Sequence, residues 1–383
     1  MKNFTFANPT KLIFGKDTIA LLGKEISKDE KILITFGGGS VKANGVYDQV
    51  KEALKEHDAI EFWGIEPNPS YETLLKAIEL AKQEKATFVL AVGGGSVLDG
   101  SKFIAAAACY DGEAWNLMER NSLIKQTLPL GTVLTLPATG SEMNNGGVIS
   151  RKTTHEKFAF TSKNGYPKFS ILDPQVTFSL PKFQIACGIV DTFAHTLEQY
   201  LTVTNESLLM DRWAEGILHT LVEIGPKAIE NHQDYELMAN FMLSATMALN
   251  GFTVMGVTTD WATHMIGHEL TALHGLTHGV TLAIVYPALM KEMRNEKRGK
   301  LLQYGERIWN ITQGDEEERI NLTIEKTELF FRSLGIPTTL KEHGVGTESF
   351  QTIHDRFVKR RMNLGEGGKV TPDKVLEILH LCK

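Results

Sequence analysis

The sequence predicts an α/β N-terminal domain built on a parallel sheet, followed by an all-α C-terminal domain. Three observations predict it. Short apolar runs alternate with stretches of helical periodicity through the first half of the chain. Two of those runs end in the same tetrapeptide, GGGS, at 37–40 and again at 93–96. Beyond Leu180-Pro181 the strand pattern stops and long helical segments take over. The expected division is therefore residues 1–180 and 181–383, and 383 residues suffice for two cores.

The strands of the first half read as Lys31–Phe36, Ile60–Trp63, Thr87–Val92, Gly131–Leu136 and Phe169–Asp173. Between them, Val46–His57 repeats apolar residues at Val46, Val50 and Leu54. Tyr71–Glu84 does so at Leu74, Leu75, Ile78 and Leu80, and a further helix is expected over Val97–Cys109. Glu66-Pro67-Asn68-Pro69 is a rigid turn, and Ser150–Lys157 is a polar stretch with no strand signal. In the second half, Gly188 is read as a break between two helical pieces, the second being Gly188–Leu201. Trp261–Ala272 is helical, Leu273–Thr277 connects, and a second apolar helix runs from His278 to just before Pro287.

Composition narrows the function classes. A net charge of -6 gives no electrostatic reason to bind nucleic acid or an anionic membrane surface. No run approaches the roughly 18 apolar residues of a transmembrane helix, and the first fifteen residues lack the apolar core of a signal peptide. Cys109, Cys187 and Cys382 are odd in number and far apart, which fits a reducing cytoplasm better than a disulfide framework.

The glycine loops are the first chemical signal. Glycine lets backbone amides approach a phosphate, and a helix N-terminus adds N–H groups and a favourable dipole. One such loop is equally well a tight turn; two, each passing from strand to helix, point to a nucleotide at the carboxyl ends of the strands. Neither is a GxGxxG or Walker A sequence. Asp99 follows the second loop and is expected in the first turn of its helix, as a cap or as a ligand contact. Thr135 to Glu142, TLPATGSE, places hydroxyls and glycine at another strand end. Lys157, on spacing alone, reads as a solvated charge.

The second signal is histidine. Four of the twelve, His264, His268, His274 and His278, fall within fifteen residues of apolar sequence. Neutral imidazole is the commonest protein metal ligand. On the earlier helix Asp191, His195 and Glu198 stand at i, i+4 and i+7, so Asp191 and His195 can grip one ion, although such a pair alone is as readily a simple ion pair. One ligand from each later helix would complete three imidazoles and a carboxylate, a set suited to Fe2+ or Zn2+. Spacing does not choose among the four histidines. His268-Glu269 is not the start of HExxH, because Ala272 stands where the second histidine belongs, which disfavours a metalloprotease.

Taken together, these motifs resemble the iron-containing alcohol dehydrogenase family, in its butanol dehydrogenase and aldehyde reductase branch. The resemblance spans nearly the whole chain: Phe14-Gly15, the run GGGSVLD ending at Asp99, LPATGSE ending at Glu142, Asp191-x3-His195, and His264-x3-His268-x9-His278-Gly279. It implies a dinucleotide-binding α/β domain and a helical metal-binding domain of the dehydroquinate synthase-like type. It also implies a homodimer and metal ligands Asp191, His195, His264 and His278. His268 becomes a catalytic residue near nicotinamide and substrate, and His274 finds no counterpart. Gly37, Gly38, Ser40, Asn68, Gly94, Gly95, Ser96, Asp99, Thr135, Ser141 and Lys157 become cofactor contacts. The first loop carries no acid to repel a 2′-phosphate, so NADP(H) is expected over NAD(H). The implied reaction interconverts short aldehydes and primary alcohols, with the metal as Lewis acid and His268 either relaying the proton or only orienting a metal ligand. Two rivals are a metal- and NAD-dependent lyase like dehydroquinate synthase, which would need several basic residues for an acidic phosphorylated substrate, and a non-catalytic metal or nucleotide sensor.

Overall fold

The computed structural model describes residues 1–203 and 206–383. Its strands are β1 (Lys11–Phe14), β2 (Lys31–Phe36), β3 (Asp58–Phe62), β4 (Phe88–Gly94), β5 (Leu130–Leu136), β6 (Gly146–Arg151), β7 (Glu156–Thr161) and β8 (Phe169–Leu172). Helices of eight or more residues are α1 (Val46–Ala53), α2 (Tyr71–Gln83), α3 (Gly95–Ala108), α4 (Lys182–Tyr200), α5 (Leu208–Glu230) and α6 (Tyr235–Ala248). They continue as α7 (Ala262–His274), α8 (His278–Glu292), α9 (Arg298–Trp309), α10 (Glu316–Ser333), α11 (Phe350–Lys359) and α12 (Pro372–Leu381).

The chain divides into two compact units, each discontinuous in sequence. One holds Ala7–Pro181 and Asn231–Asn250; the other holds Met1–Phe6, Lys182–Glu230 and Gly251–Lys383. In the first, six parallel strands lie in the order β1-β8-β5-β4-β2-β3. The central strands β2, β4 and β5 are almost wholly buried, as parallel strands covered on both faces must be. From β2 the chain moves outward to β3, then returns to place β4 on the other side of β2. The direction of winding therefore reverses between β2 and β4, where open α/β sheets bind ligands. Both GGGS loops leave the sheet at that point, with Phe36 in register with Val92.

An antiparallel hairpin, β6–β7, was not legible as strand and includes the polar stretch 150–157. Its turn residues and lysines obscure the alternation, while its buried members, Ile149 and Phe160, are too few to signal. Gly147 lets the hairpin lie on α3: a Cβ there would stand 3.2 Å from the Asp99 backbone.

In the second unit α4 packs against α5 and α8, and α7 against α8. Phe193 of α4 meets Phe330 and Phe331 of α10, with ring centres 5.0 and 5.7 Å apart. Two helices run past their expected ends. Helix α4 runs through Gly188 without a break, from Lys182 to Tyr200. Its neighbours Ile185, Ala186, Ile189 and Val190 are all buried, and that packing offsets the cost of an interior glycine, about 1 kcal/mol. Helix α8 likewise continues through Pro287 to Glu292, with Pro287 itself buried. Tertiary burial overrides the lost backbone bond. Asp99 also lies two residues further into its helix than expected, past the first turn, because α3 begins at Gly95.

Gly279 sets how closely α8 approaches α4. A Cβ at 279 would stand 2.5 Å from the Cys187 carbonyl oxygen, so both backbones would have to move. Gly279→Ala is expected to destabilise the protein by about 1–3 kcal/mol, as overpacking of a tight contact does. The shift of the urea midpoint at unchanged m-value measures it.

Candidate metal centre and cofactor loops

Helix periodicity brings the metal candidates together. Asp191 and His195 are one turn apart on α4, His264 lies in the first turn of α7, and His278 opens α8. Three imidazole nitrogens surround one oxygen, Asp191 Oδ1: His195 Nδ1 at 3.7 Å, His264 Nε2 at 3.9 Å and His278 Nε2 at 3.7 Å. These separations are too long for hydrogen bonds. They are close to the roughly 3.4 Å left between two ligands each bound about 2.0–2.2 Å from one tetrahedral ion. Asp191, His195 and His264 form the tight buried group, with donor atoms all within 4.8 Å of one another. His278 stands at its more open side, with 21% of its side chain exposed. A borderline divalent cation fits this donor set.

Glu198 is the residue whose role spacing did not show. It is fully buried, and its carboxylate is claimed by one turn of chain. Oε2 accepts the Trp261 N–H at 3.0 Å, and Oε1 accepts the His264 N–H at 3.1 Å and lies 3.0 Å from His264 Nδ1. The i, i+7 spacing places Glu198 on the Asp191 side of α4 but cannot show that it bonds a neighbouring ring. With Nδ1 engaged, Nε2 is the nitrogen left to face Asp191, the usual device by which a carboxylate orients a metal-binding histidine. Burial opposes charge on His264, but the nearby carboxylates of Asp191 and Glu198 outweigh it and push the imidazole up to about 9. A cation at Nε2 would take the place of that proton.

Of the remaining histidines, His268 is buried one turn after His264, with its ring centre 5.2 Å from that of His278. His274 is placed away from the cluster: its Nε2 lies 2.8 Å from Ser349 Oγ, tying the end of α7 to the segment before α11. Glu269 points elsewhere too, taking Arg356 Nη1 at 2.7 Å and Arg360 as a second partner.

The cofactor candidates fall into three sets. Gly37 and Gly38 follow β2, and nothing lies within 4 Å of a Cβ built at Gly38. Their loop leads to Ser40, and this open backbone is the kind of cradle a phosphate enters. Gly94 ends β4, and Gly95 and Ser96 open α3, where a Cβ at Gly95 would stand 2.6 Å from the Thr139 side chain. Ser96 Oγ accepts the Asn68 N–H at 3.2 Å, and Lys157 Nζ donates to Asn68 Oδ1 at 2.8 Å. Lys157 is therefore buried and bonded rather than solvated. Asn68, at φ 56°, is held in the left-handed region between these two partners.

Asp99 and Ser141 form the third set. Ser141 Oγ donates to Asp99 Oδ1 at 2.6 Å, and Asp99 Oδ2 accepts the Val148 N–H at 2.9 Å. Asp99 is thus not a helix cap. Lys102 joins this set, donating to Ser141 Oγ, Asn144 Oδ1 and the Gly146 carbonyl. A lone lysine in the apolar run of α3 was the available signal. Burial brings Lys102 down to about 8, against the charges of Asp99 and Glu142, and burial pushes the Asp99 carboxyl up. Thr135 is buried at the end of β5, where no bond joins it to the other candidates.

Residues 9–174 match the family described as iron-containing alcohol dehydrogenase, and residues 185–382 match its C-terminal domain. The NADPH-dependent aldehyde reductase YqhD of Escherichia coli is 53% identical over 97% of each chain. A crystal structure of YqhD superposes with a TM-score of 0.98 at 52% identity, covering 100% of this chain and 99% of that one. The structure of the NADH-dependent butanol dehydrogenase A of Thermotoga maritima gives a TM-score of 0.95 at 40% identity, again over 100% and 99%.

Glu198→Gln keeps the shape but offers an amide where two N–H groups and Nδ1 now find a carboxylate. It is expected to weaken divalent-metal affinity by roughly 10–100-fold, the usual loss when a ligand's orienting partner changes. Competition against a calibrated chelator measures it.

Proposed function

This chain belongs to the iron-containing alcohol dehydrogenase family, and from that premise we propose that it reduces short-chain aldehydes to primary alcohols with NADPH. The metal in this reading is a single divalent ion, Fe2+ or Zn2+, held by Asp191, His195, His264 and His278. The observation that carries it is the convergence of three imidazoles on Asp191 Oδ1 with Glu198 fixing the orientation of His264. When bound, the metal would supply Lewis acidity toward the carbonyl oxygen and the dinucleotide the hydride.

The chain's own residues do the rest. Asp191 supplies negative charge to a buried site that otherwise offers imidazole nitrogens. Glu198 keeps the His264 Nδ1 side occupied, so that Nε2 stays turned to Asp191. On the other unit, Gly37, Gly38 and Ser40 receive the adenosine phosphate end of the cofactor, and Gly94, Gly95 and Ser96 the pyrophosphate. Asn68 and Lys157 brace the second loop through Ser96. Asp99 and Ser141, fixed to one another, present one polar edge toward the nicotinamide, and Thr135 adds a hydroxyl at the end of β5. His268 passes a proton between solvent and the alkoxide oxygen.

NADPH is favoured because β2 ends in Thr35-Phe36-Gly37-Gly38-Gly39-Ser40, with no carboxylate to repel a 2′-phosphate. YqhD, the 53% identical relative, is named for NADPH. The chain works as a homodimer in a reducing cytoplasm, where Cys109, Cys187 and Cys382 stay as thiols.

The first test is anaerobic metal analysis followed by butanal reduction with NADPH and NADH. Net oxidation of NADPH is expected, and it separates a dehydrogenase from a lyase with no net redox change. An NADH kcat/KM about tenfold above that of NADPH would overturn the cofactor assignment, since one favourable phosphate contact is worth at least that factor. Asp191→Ala and His264→Ala are expected to lose the metal. His268→Ala is expected to retain it with a kcat lowered by about 10²–10⁴, the span of general acid–base catalysis. Loss of metal in His268→Ala would remove the proton-relay role.

A further inference from the structure

The turn that presents Glu198 to His264 is itself held by a buried ion cluster. Trp261 precedes α7 at φ 70°, a left-handed conformation that a bulky residue adopts only when its surroundings impose it. On one side of this residue, the Asp260 N–H donates to the Glu198 carbonyl at 2.9 Å. On the other, Asp260 Oδ1 accepts the Ala262 N–H at 2.9 Å. Asp260 Oδ2 is gripped by Lys297 Nζ at 2.7 Å, and the same ammonium donates to the Leu201 carbonyl at 2.7 Å, just past the end of α4. Glu366 Oε1 stands 3.7 Å from it. Lys297 and Asp260 are only 2% and 3% exposed. A charge buried so deeply is kept only by its partners.

On the reading of the metal centre above, we propose that Lys297 is a positioning residue for that centre: by joining Asp260 to the end of α4 it locks the Trp261 turn that brings Glu198 onto His264. It touches neither the ligands nor the reacting atoms. Its effect on the site passes through two carboxylates, Asp260 and Glu198, and one backbone turn.

The protein carries its own control. Lys300 is three residues further on, is equally buried, and pairs with Asp211 at 2.6 Å. Asp211 lies on α5, which carries none of the metal-ligand candidates. Lys300 also meets α4, with its ammonium 4.5 Å from the Tyr200 ring centre, but it makes no bond to the Asp260–Trp261 turn, so Lys297→Met and Lys300→Met make the same chemical change at the same depth and differ in whether that turn is released. Both are expected to lower Tm.

The discriminating measurement is made on full-length protein loaded anaerobically with Co2+. The visible ligand-field bands report ligand geometry, and their decay in excess EDTA reports metal release. Lys297→Met is expected to shift the bands and speed release by about tenfold or more, while Lys300→Met stays within about twofold of wild type. Equal release rates in the two variants, with unshifted bands, would overturn the proposal. Should Lys297→Met fail to fold, Lys297→Met combined with Asp260→Asn removes both charges together, the less costly change for a buried pair. Faster release and shifted bands in this double variant support the proposal, and wild-type bands and release overturn it. A wild-type chain that develops no Co2+ bands at all would overturn the metal centre itself, and this inference with it.

Discussion

A carboxylate sealed from water must be satisfied by whatever chain surrounds it. Glu198 is such a group, and the start of α7 is shaped to meet its need. Two backbone N–H groups and one imidazole converge on it, and they include donors that the first turn of a helix leaves without partners. Capping and ligand orientation are thus one interaction. The same carboxylate that caps the start of α7 also fixes the His264 ring.

The sheet shows how much function follows from topology alone. Reversal of the winding between β2 and β4 leaves an opening at the carboxyl end of the sheet. Both glycine loops occupy it, because each simply continues its strand. Nothing chemical about glycine puts the loops there; strand order does. What glycine adds is open backbone: nothing lies within 4 Å of a Cβ built at Gly38.

The parts of the structure legible in the sequence are those that repeat with a period. The parallel strands and the long helices announced themselves that way, and Asp191 with His195 could be paired from helix geometry. What escaped was decided across distance. Gly188 and Pro287 look like helix ends by local propensity, but burial on α4 and α8 overrides propensity. The β6–β7 hairpin carries too few apolar residues to be seen. Helix α6 reads as one more helix of the second half, yet it belongs with the sheet. Lys102, Glu198 and Lys297 share a reason for being missed: a buried charged residue is defined by its partners, and these come from segments up to about a hundred residues away. His274, conspicuous in the cluster, has an ordinary partner in Ser349.

The same hairpin limits how this sequence can change. Lys157 faces Ser150 across the ladder, and the turn that sets this pairing spans Lys152 to His155, with His155 at φ 50°. Successive residues of a strand point to opposite faces. An insertion or deletion of one residue in that short turn would leave every strand residue chemically intact but slip the register. Lys157 would swing away from Asn68, and a neighbour would turn inward in its place. The turn is exposed and polar, the kind of segment in which length variation is ordinarily tolerated. Here its length acts as a gauge for a buried amine, so drift in this loop is constrained by count rather than by residue type.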